Sequence, residues 1–286
     1  LMPSPAALKG LKLVLDCANG AFSAIAPAVF KKYGAEVIVL ADRPDGYNIN
    51  KDCGSTHPEK MMQTVAAEKA ALGIAVDGDG DRIIVCDEQG HKLDGDQIIA
   101  FLAQYLQSEG KVKGNAVVST IYSNRGLEKY LRSLGLDYYR TKVGERYVVE
   151  KMTEVGCNLG GEESGHMVAA DYAATGDGVV VGLLVCLGLL KSGRKMSEIF
   201  PIFQPLPAVL SRLRFDHADK VKTAMEDAEF LQMVETAKVQ LGDRGFIVLR
   251  KPGTEPMVQV LVQGDDEAEV RLLSEKLSAK AKSFDI

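Results

Sequence analysis

Three aspartates alternate with glycines between residues 77 and 81, and an arginine follows them directly. Glycine permits the tight backbone turns that would bring Asp77, Asp79 and Asp81 to face one point. Three carboxylate oxygens, completed by water or a phosphate oxygen, suit the octahedral coordination that Mg²⁺ prefers. The segment therefore predicts a magnesium site, with Arg82 beside a bound phosphate.

The spacing of these three aspartates also fits two structures other than a magnesium site. An acidic loop at the end of a strand would have the same composition without binding a metal. An EF-hand calcium loop carries acidic residues at positions 1, 3, 5 and 12, which would be Asp77, Asp79, Asp81 and Glu88 here. That loop needs glycine at position 6, where this chain has Arg82, and it needs flanking helices. Because strands are predicted on both sides, we reject the EF-hand.

Three further polar segments could bind a phosphorylated sugar. Residues 160–166 combine carboxylates, a hydroxyl and an imidazole, which match sugar hydroxyls. Residues 250–256 place cations, a hydroxyl and exposed amides between two predicted strands, a combination that suits a phosphate. Residues 141–146 form a charged loop at the predicted start of a helix, where an anion is favoured. Each segment alone is also typical of a solvated turn.

The composition limits the partners of the chain. The 286 residues, 46% hydrophobic and 26% charged, are typical of a globular protein. A net charge of -5 argues against nucleic acid, which needs clustered Lys and Arg, but leaves a small anionic substrate open. The longest apolar run, residues 179–190, is about half the length that crosses a bilayer. We expect a buried helix there and no membrane partner.

The cysteines and the first residues indicate the cellular context. An odd number of cysteines, widely spaced and without a C-x-x-C pair, favours a reducing cytoplasm and no structural zinc. They are Cys17, Cys53, Cys86, Cys157 and Cys186. Residues 1–5 look like an interior position rather than a natural start, and no secretory signal is visible. We therefore expect a cytoplasmic protein with a further domain upstream.

The elements that must position these segments predict an α/β fold. Residues 1–91 and residues 92–203 each alternate strands and helices, which predicts two doubly wound domains with mixed or parallel sheets. A cluster of prolines, at positions 201, 205 and 207, predicts a linker after the second domain. Residues 204–286 follow a different order and predict a small α+β domain, with a continuous helix over about residues 225–238 and a further helix at its end.

Taken together, the four polar segments resemble the α-D-phosphohexomutase superfamily in order and approximate spacing, over nearly the whole chain. Residues 16–21 and 48–59 look most like phosphoglucosamine mutases, with the phosphomannomutase/phosphoglucomutases as the alternative. The resemblance implies interconversion of glucosamine 6-phosphate and glucosamine 1-phosphate through a bisphosphorylated sugar. It also implies an active-site phosphoserine held by Mg²⁺.

The resemblance assigns roles to individual residues. It implies a magnesium site formed by Asp77, Asp79 and Asp81. It implies binding of a phosphorylated hexosamine by Glu162, Ser164, Arg250, Gly253 and Thr254. Hydroxyl attack on phosphorus needs a nearby base, so the candidates for positioning or proton transfer are Arg82, Lys142, Glu145, Arg146 and His166.

The chain departs from the superfamily pattern in two places. The Thr-Ala-Ser-His-Asn-Pro loop that carries the phosphoserine occurs nowhere in the sequence, so we expect an inactive fragment that lacks the N-terminal domain of the same protein. Pro252 and Gln259 stand where the superfamily usually has serine and arginine, which removes hydrogen-bond donors from the phosphate loop. A non-catalytic phosphosugar-binding protein is therefore the alternative from another functional class.

Overall fold

The computed structural model describes residues 1–253 and 255–285. Within them the chain forms two compact units. The first unit contains residues 1–123 and 127–204, and the second contains residues 124–126 and the described residues from 205 onward. The predicted magnesium site belongs to the first unit and the predicted phosphate loop to the second.

The first sheet of the first unit has five strands in the order β2-β1-β3-β4-β5. Its strands are β1 (Lys12–Asp16), β2 (Glu36–Leu40), β3 (Leu72–Val76), β4 (Ile83–Asp87) and β5 (Lys92–Leu93). The helices α1 (Ile25–Lys32) and α2 (Glu59–Glu68) connect the three parallel strands β1, β2 and β3. Strands β4 and β5 are antiparallel to their neighbours, so the sheet is mixed. Residues 77–82 are too few for the crossover that a parallel β4 would need.

The second sheet of the first unit has the order β7-β6-β8-β9. Its strands are β6 (Ala116–Thr120), β7 (Asp137–Thr141), β8 (Leu159–Gly161) and β9 (Met167–Ala169). The helices around it are α3 (Gly95–Ser108), α4 (Arg125–Ser133), α5 (Glu145–Val155), α6 (Gly178–Ser192) and α7 (Met196–Ile199). Strand β6 pairs in parallel with β7 and β8, whereas β8 and β9 form the predicted hairpin around residues 160–166.

One hydrophobic core runs through the first unit. It includes Ile74 of the first sheet and Val117 of the second, with α3 and α6 packed against each other. Helix α6 carries the apolar run and is buried along most of its length, as predicted. Among the described residues, no helix has the length and apolar character of a membrane span. The predicted domain boundary between residues 91 and 92 lies inside this unit and stays a prediction.

The second unit contains a three-stranded antiparallel sheet in the order β10-β12-β11. Its elements are β10 (Ala208–Arg214), α8 (Ala218–Glu226), α9 (Ala228–Leu241), β11 (Gly245–Arg250), β12 (Met257–Gly264) and α10 (Glu267–Lys282). The prediction of one helix over residues 225–238 is wrong, because Asp227 interrupts it. The extended backbone of Asp227 ends α8, and its carboxylate accepts a hydrogen bond from the Phe230 N–H at 2.7 Å to begin α9.

Candidate active site

The predicted metal ligands follow directly after β3, in the turn that leads into β4. We call residues 77–82 the metal loop. One carboxylate oxygen from each of Asp77, Asp79 and Asp81 lies within 4.8 Å of the other two. Asp77 is buried and Asp79 is exposed, with Asp81 between these extremes. This cluster of hard oxygen donors, reachable from solvent, fits a divalent cation such as Mg²⁺.

The electrostatics of the metal loop also favour a cation. Burial and the negative charges of Asp77 and Asp79 raise the pKa of Asp81, although His166 acts in the opposite direction. The Arg82 Nε lies 3.0 Å from Asp77 Oδ2 and 3.6 Å from Asp81 Oδ1. One guanidinium therefore offsets only part of the charge of three converging carboxylates, and a divalent ion would offset more.

His166 links the metal loop to the start of α5. Its ring is buried, with Nδ1 3.3 Å from Asp81 Oδ2 and Nε2 3.3 Å from Glu145 Oε2. The other oxygen of Glu145 accepts a hydrogen bond from the Gly176 N–H at 2.9 Å. An isolated antiparallel bridge joins His166 to Arg82. The structure thus brings together four predicted site residues from three separate segments between residues 81 and 166.

The remaining predicted residues of the first unit lie in more open positions. Glu162 Oε1 accepts a hydrogen bond from the Gly144 N–H at 2.8 Å, which ties the hairpin to the loop before α5. Ser164 is exposed at the tip of the hairpin. Lys142 is also exposed, with its Nζ 5.7 Å from the centre of the Tyr147 ring.

Arg146 lies on the exposed surface of α5. Its side chain is 84% exposed, and its Nε is 2.7 Å from Glu150 Oε1 one turn further along the helix. This pair raises the pKa of Arg146. Of the residues predicted for positioning or proton transfer, Arg146 is the one that the structure pairs with a neighbour on its own helix face.

The predicted phosphate loop joins β11 to β12 in the second unit. Arg250 is the last residue of β11 and lies directly opposite Gln259 in the antiparallel register. Gly253 is exposed, with open space where a side chain would begin. Thr254, which was predicted to bind the phosphate, lies outside the described residues.

One segment of the site was missed by the sequence analysis. Asp177 caps α6 by accepting hydrogen bonds from the N–H groups of Val179 and Val180, both at 2.9 Å. Its neighbours Gly176 and Gly178 donate to Glu145 and to the Gly80 carbonyl of the metal loop. The sequence feature that could have indicated this segment is an aspartate between two glycines, just before an apolar helix, because aspartate is a common helix N-cap.

Three descriptions of one protein family match consecutive parts of the chain. Phosphoglucomutase/phosphomannomutase alpha/beta/alpha domain II matches residues 2–90, and alpha/beta/alpha domain III matches residues 94–206. The C-terminal domain of the same family matches residues 210–280. Together they cover nearly the whole chain.

Individual proteins show the same relationship. The chain is 49% identical to the phosphoglucosamine mutase of Rhodospirillum centenum over 91% of its own length and 55% of that protein. It is 47% identical to the phosphoglucosamine mutase of Parvibaculum lavamentivorans, over 93% and 58% of the two lengths. The chain therefore spans little more than half of each of these curated relatives.

Solved structures share the fold. A phosphoglucomutase/phosphomannomutase family protein from Burkholderia thailandensis superposes with a TM-score of 0.78 at 25% identity, over 96% of this chain and 60% of the other. An N-acetylphosphoglucosamine mutase from Aspergillus fumigatus, solved with GlcNAc-6P and magnesium, gives 0.76 at 19% identity, over 98% and 64%. The predicted α-D-phosphohexomutase resemblance is confirmed, and the chain belongs to the phosphoglucomutase/phosphomannomutase family.

Proposed function

We propose that this chain is part of a phosphoglucosamine mutase, which interconverts glucosamine 6-phosphate and glucosamine 1-phosphate through a bisphosphorylated sugar. The observation that carries the proposal is the metal loop, where three carboxylates converge next to Arg82 and His166. Relatives named phosphoglucosamine mutase, 42% to 49% identical to the chain, support the choice of substrate.

In this proposal Asp77, Asp79 and Asp81 hold Mg²⁺. When bound, the ion supplies positive charge that stabilises the phosphoryl group during transfer. Arg82 adds a further cation next to the same carboxylates. Burial and then the nearby carboxylates raise the pKa of Asp81, and a bound cation would relieve the repulsion among these carboxylates.

His166 is the proposed proton carrier for the attacking sugar hydroxyl. Carboxylates lie 3.3 Å from each of its ring nitrogens, and they would stabilise the imidazolium that forms when the ring accepts a proton. Glu145 contributes one of these carboxylates and orients the ring, while Lys142 and Arg146 add positive charge around the substrate. This arrangement follows the logic of general base catalysis, in which the base must be held in place before it acts.

The remaining roles concern the sugar and its second phosphate. Glu162 and Ser164 bind sugar hydroxyls at the hairpin. The non-reacting phosphate is held by Arg250, Gly253 and Thr254, with Arg250 supplying paired charge-assisted hydrogen bonds. By resemblance to the family, the proposed phosphoryl donor is a serine that is not part of this sequence.

A specific feature favours a second candidate. Pro252 lacks an N–H donor, and Gln259 is neutral where the family usually has a cation, so the phosphate loop is weaker than usual. Such a loop suits a changed sugar preference, as in a phosphomannomutase/phosphoglucomutase, or a phosphosugar-binding protein without catalysis.

The test uses a fusion in which the part of the Rhodospirillum centenum relative that this chain does not cover precedes Leu1. We expect Mg²⁺-dependent turnover of glucosamine 6-phosphate that exceeds turnover of glucose and mannose phosphates. Higher activity on the latter sugars would favour the second candidate. A folded fusion that binds the phosphosugars without turning them over would refute the mutase assignment.

A further inference from the structure

Two backbone segments approach the metal loop closely through glycines. A Cβ atom added to Gly20, just after β1, would overlap the Gly78 carbonyl and lie 2.7 Å from the Gly78 Cα. A Cβ atom on Gly176 would lie 2.8 Å from the Asp81 carbonyl oxygen, and it would also overlap the His166 ring at Nε2. A Cβ atom on Gly178 would lie 3.0 Å from the Arg82 carbonyl oxygen. Side chains at these three positions would push against the loop backbone.

The same segments hydrogen-bond to the loop. The Ala21 N–H donates to the Gly78 carbonyl at 2.8 Å, and the Gly178 N–H donates to the Gly80 carbonyl at 2.8 Å. The loop is thus held from two sides by neutral backbone groups at alternate residues. Neither of these two hydrogen bonds uses a carboxylate of the metal loop.

The first of these segments is itself held in a demanding conformation. Ala18 and Asn19 both have left-handed backbones, with φ of 55° and 47°, a conformation that is strained for residues with a side chain. The fully buried Asp16 stabilises this turn by accepting a hydrogen bond from the Ala18 N–H at 2.9 Å. Asn19 accepts a further bond from the Arg43 N–H at 3.1 Å. Such strain persists only where the surroundings fix it.

The second segment is fixed by two carboxylates. Asp177 caps α6, and Glu145 accepts a hydrogen bond from the Gly176 N–H. Because Glu145 also faces His166, the position of this segment is linked to the candidate base as well as to the metal loop.

We propose that Gly20, Gly176 and Gly178 form a metal-loop cradle, a set of positioning residues that sets the geometry of the three carboxylates. The inference deepens the proposed function and rests on it. These glycines contact neither substrate nor metal. They act because only a residue without a side chain lets the backbone come close enough to hold the loop. Displacing the loop would move the ligands apart and weaken Mg²⁺ binding.

The test compares Gly20→Ala with Gly73→Ala in the 286-residue chain. Neither glycine has a left-handed backbone, so alanine adds only steric overlap. Gly73 lies on β3 in the same sheet, and its Cβ would meet the Met61, Val65 and Cys86 side chains, away from the metal loop. We expect both variants to unfold at a lower temperature than the original chain. Only Gly20→Ala should weaken Mg²⁺ binding in calorimetry, by about tenfold or more.

The outcomes separate the two proposals. Unchanged Mg²⁺ affinity in a folded Gly20→Ala variant, or equal weakening in Gly73→Ala, would overturn the cradle while leaving the magnesium site intact. If the original chain binds no Mg²⁺, the magnesium site itself fails and the cradle fails with it. Should Gly20→Ala not fold, Gly178→Ala replaces it, because its closest overlap, at 2.8 Å, is with a Val76 methyl group. The same tenfold loss is expected there, and its absence refutes the cradle.

Discussion

In the absence of magnesium, the Asp79→Asn variant should be more stable than the original chain. In the presence of magnesium, it should be less stable than the original chain. The substitution keeps the size of the side chain and removes one negative charge from the metal loop. Asp79 is exposed, and among the described residues no cation forms an ion pair with it. The change therefore removes repulsion from Asp77 and Asp81 and sacrifices little attraction.

The magnitude follows from the 4.8 Å limit on the distances between the ligand atoms. Two unit charges at that separation repel by about 0.9 kcal/mol in water, and Asp79 takes part in two such pairs. Screening at 0.1 M salt reduces the sum to about 1 kcal/mol. For a folding unit of this size, that free energy raises the unfolding temperature by about 2 to 4 °C.

Magnesium should reverse the order. At one hundred times its dissociation constant, a bound ion stabilises the folded state by about 2.7 kcal/mol, and the variant should gain almost none of this. The assay is thermal unfolding of both proteins with and without Mg²⁺. Asp137→Asn, an equal charge change at an exposed position of the first unit, is the control and should shift neither value by more than about 0.5 kcal/mol. A lower stability of Asp79→Asn without magnesium, or an equal gain from magnesium in both proteins, would refute the reasoning.

Three further outcomes are expected. The purified 286-residue chain should show no mutase turnover in a coupled assay supplied with sugar bisphosphate, because its sequence contains no phosphoserine loop. In the fusion protein, Arg250→Ala should raise KM by roughly tenfold or more, whereas Pro252→Ser with Gln259→Arg should lower it, because charged hydrogen bonds contribute about 1.5 to 3 kcal/mol each. An unchanged KM in the double variant would place the phosphate elsewhere. Burial alone would raise the pKa of Asp171. The hydrogen bonds from Lys113 and Asn158 together outweigh burial, so the pKa lies below its usual 3.8. The stability that this lowered pKa represents is present above pH 3.8 and is lost as the pH falls through the folded value. Lys113→Met should thus cost up to about 1 kcal/mol in urea unfolding at pH 7 and progressively less as the pH falls below 3.8, and a loss that does not change with pH would contradict this.

The parts of the fold that the sequence predicts are those with a strong local pattern. The metal loop is recognisable because glycines and aspartates alternate between two apolar strands, and residues 160–166 because polar residues separate two short apolar stretches. Helix α6 is recognisable from its apolar run. The opposite direction of β4 was predictable from the length of the turn alone, but the strand-helix alternation before it favoured a parallel sheet.

Other features depend on contacts between distant residues. The break between α8 and α9 turns on the single residue Asp227. Aspartate favours the start of a helix, but the apolar spacing across this position favoured one continuous helix. The meeting of His166 with Asp81 and Glu145 depends on how the two sheets of the first unit pack. No periodicity in the sequence contains that information. The individual residues were therefore predictable as polar site candidates, but their pairing was not.

The charge of the metal loop explains why its support has to come from the backbone. Three carboxylates within 4.8 Å repel one another, so the loop on its own would open until a cation arrived. Charged side chains could hold it closed, but they would compete with the cation for the same oxygens, as Arg82 already does in part. Backbone N–H groups that bind the carbonyls of Gly78 and Gly80 hold the loop without occupying any carboxylate. In the proposed magnesium site, this arrangement keeps the ligands free for the metal, and the proposed glycine cradle permits the close approach that it needs.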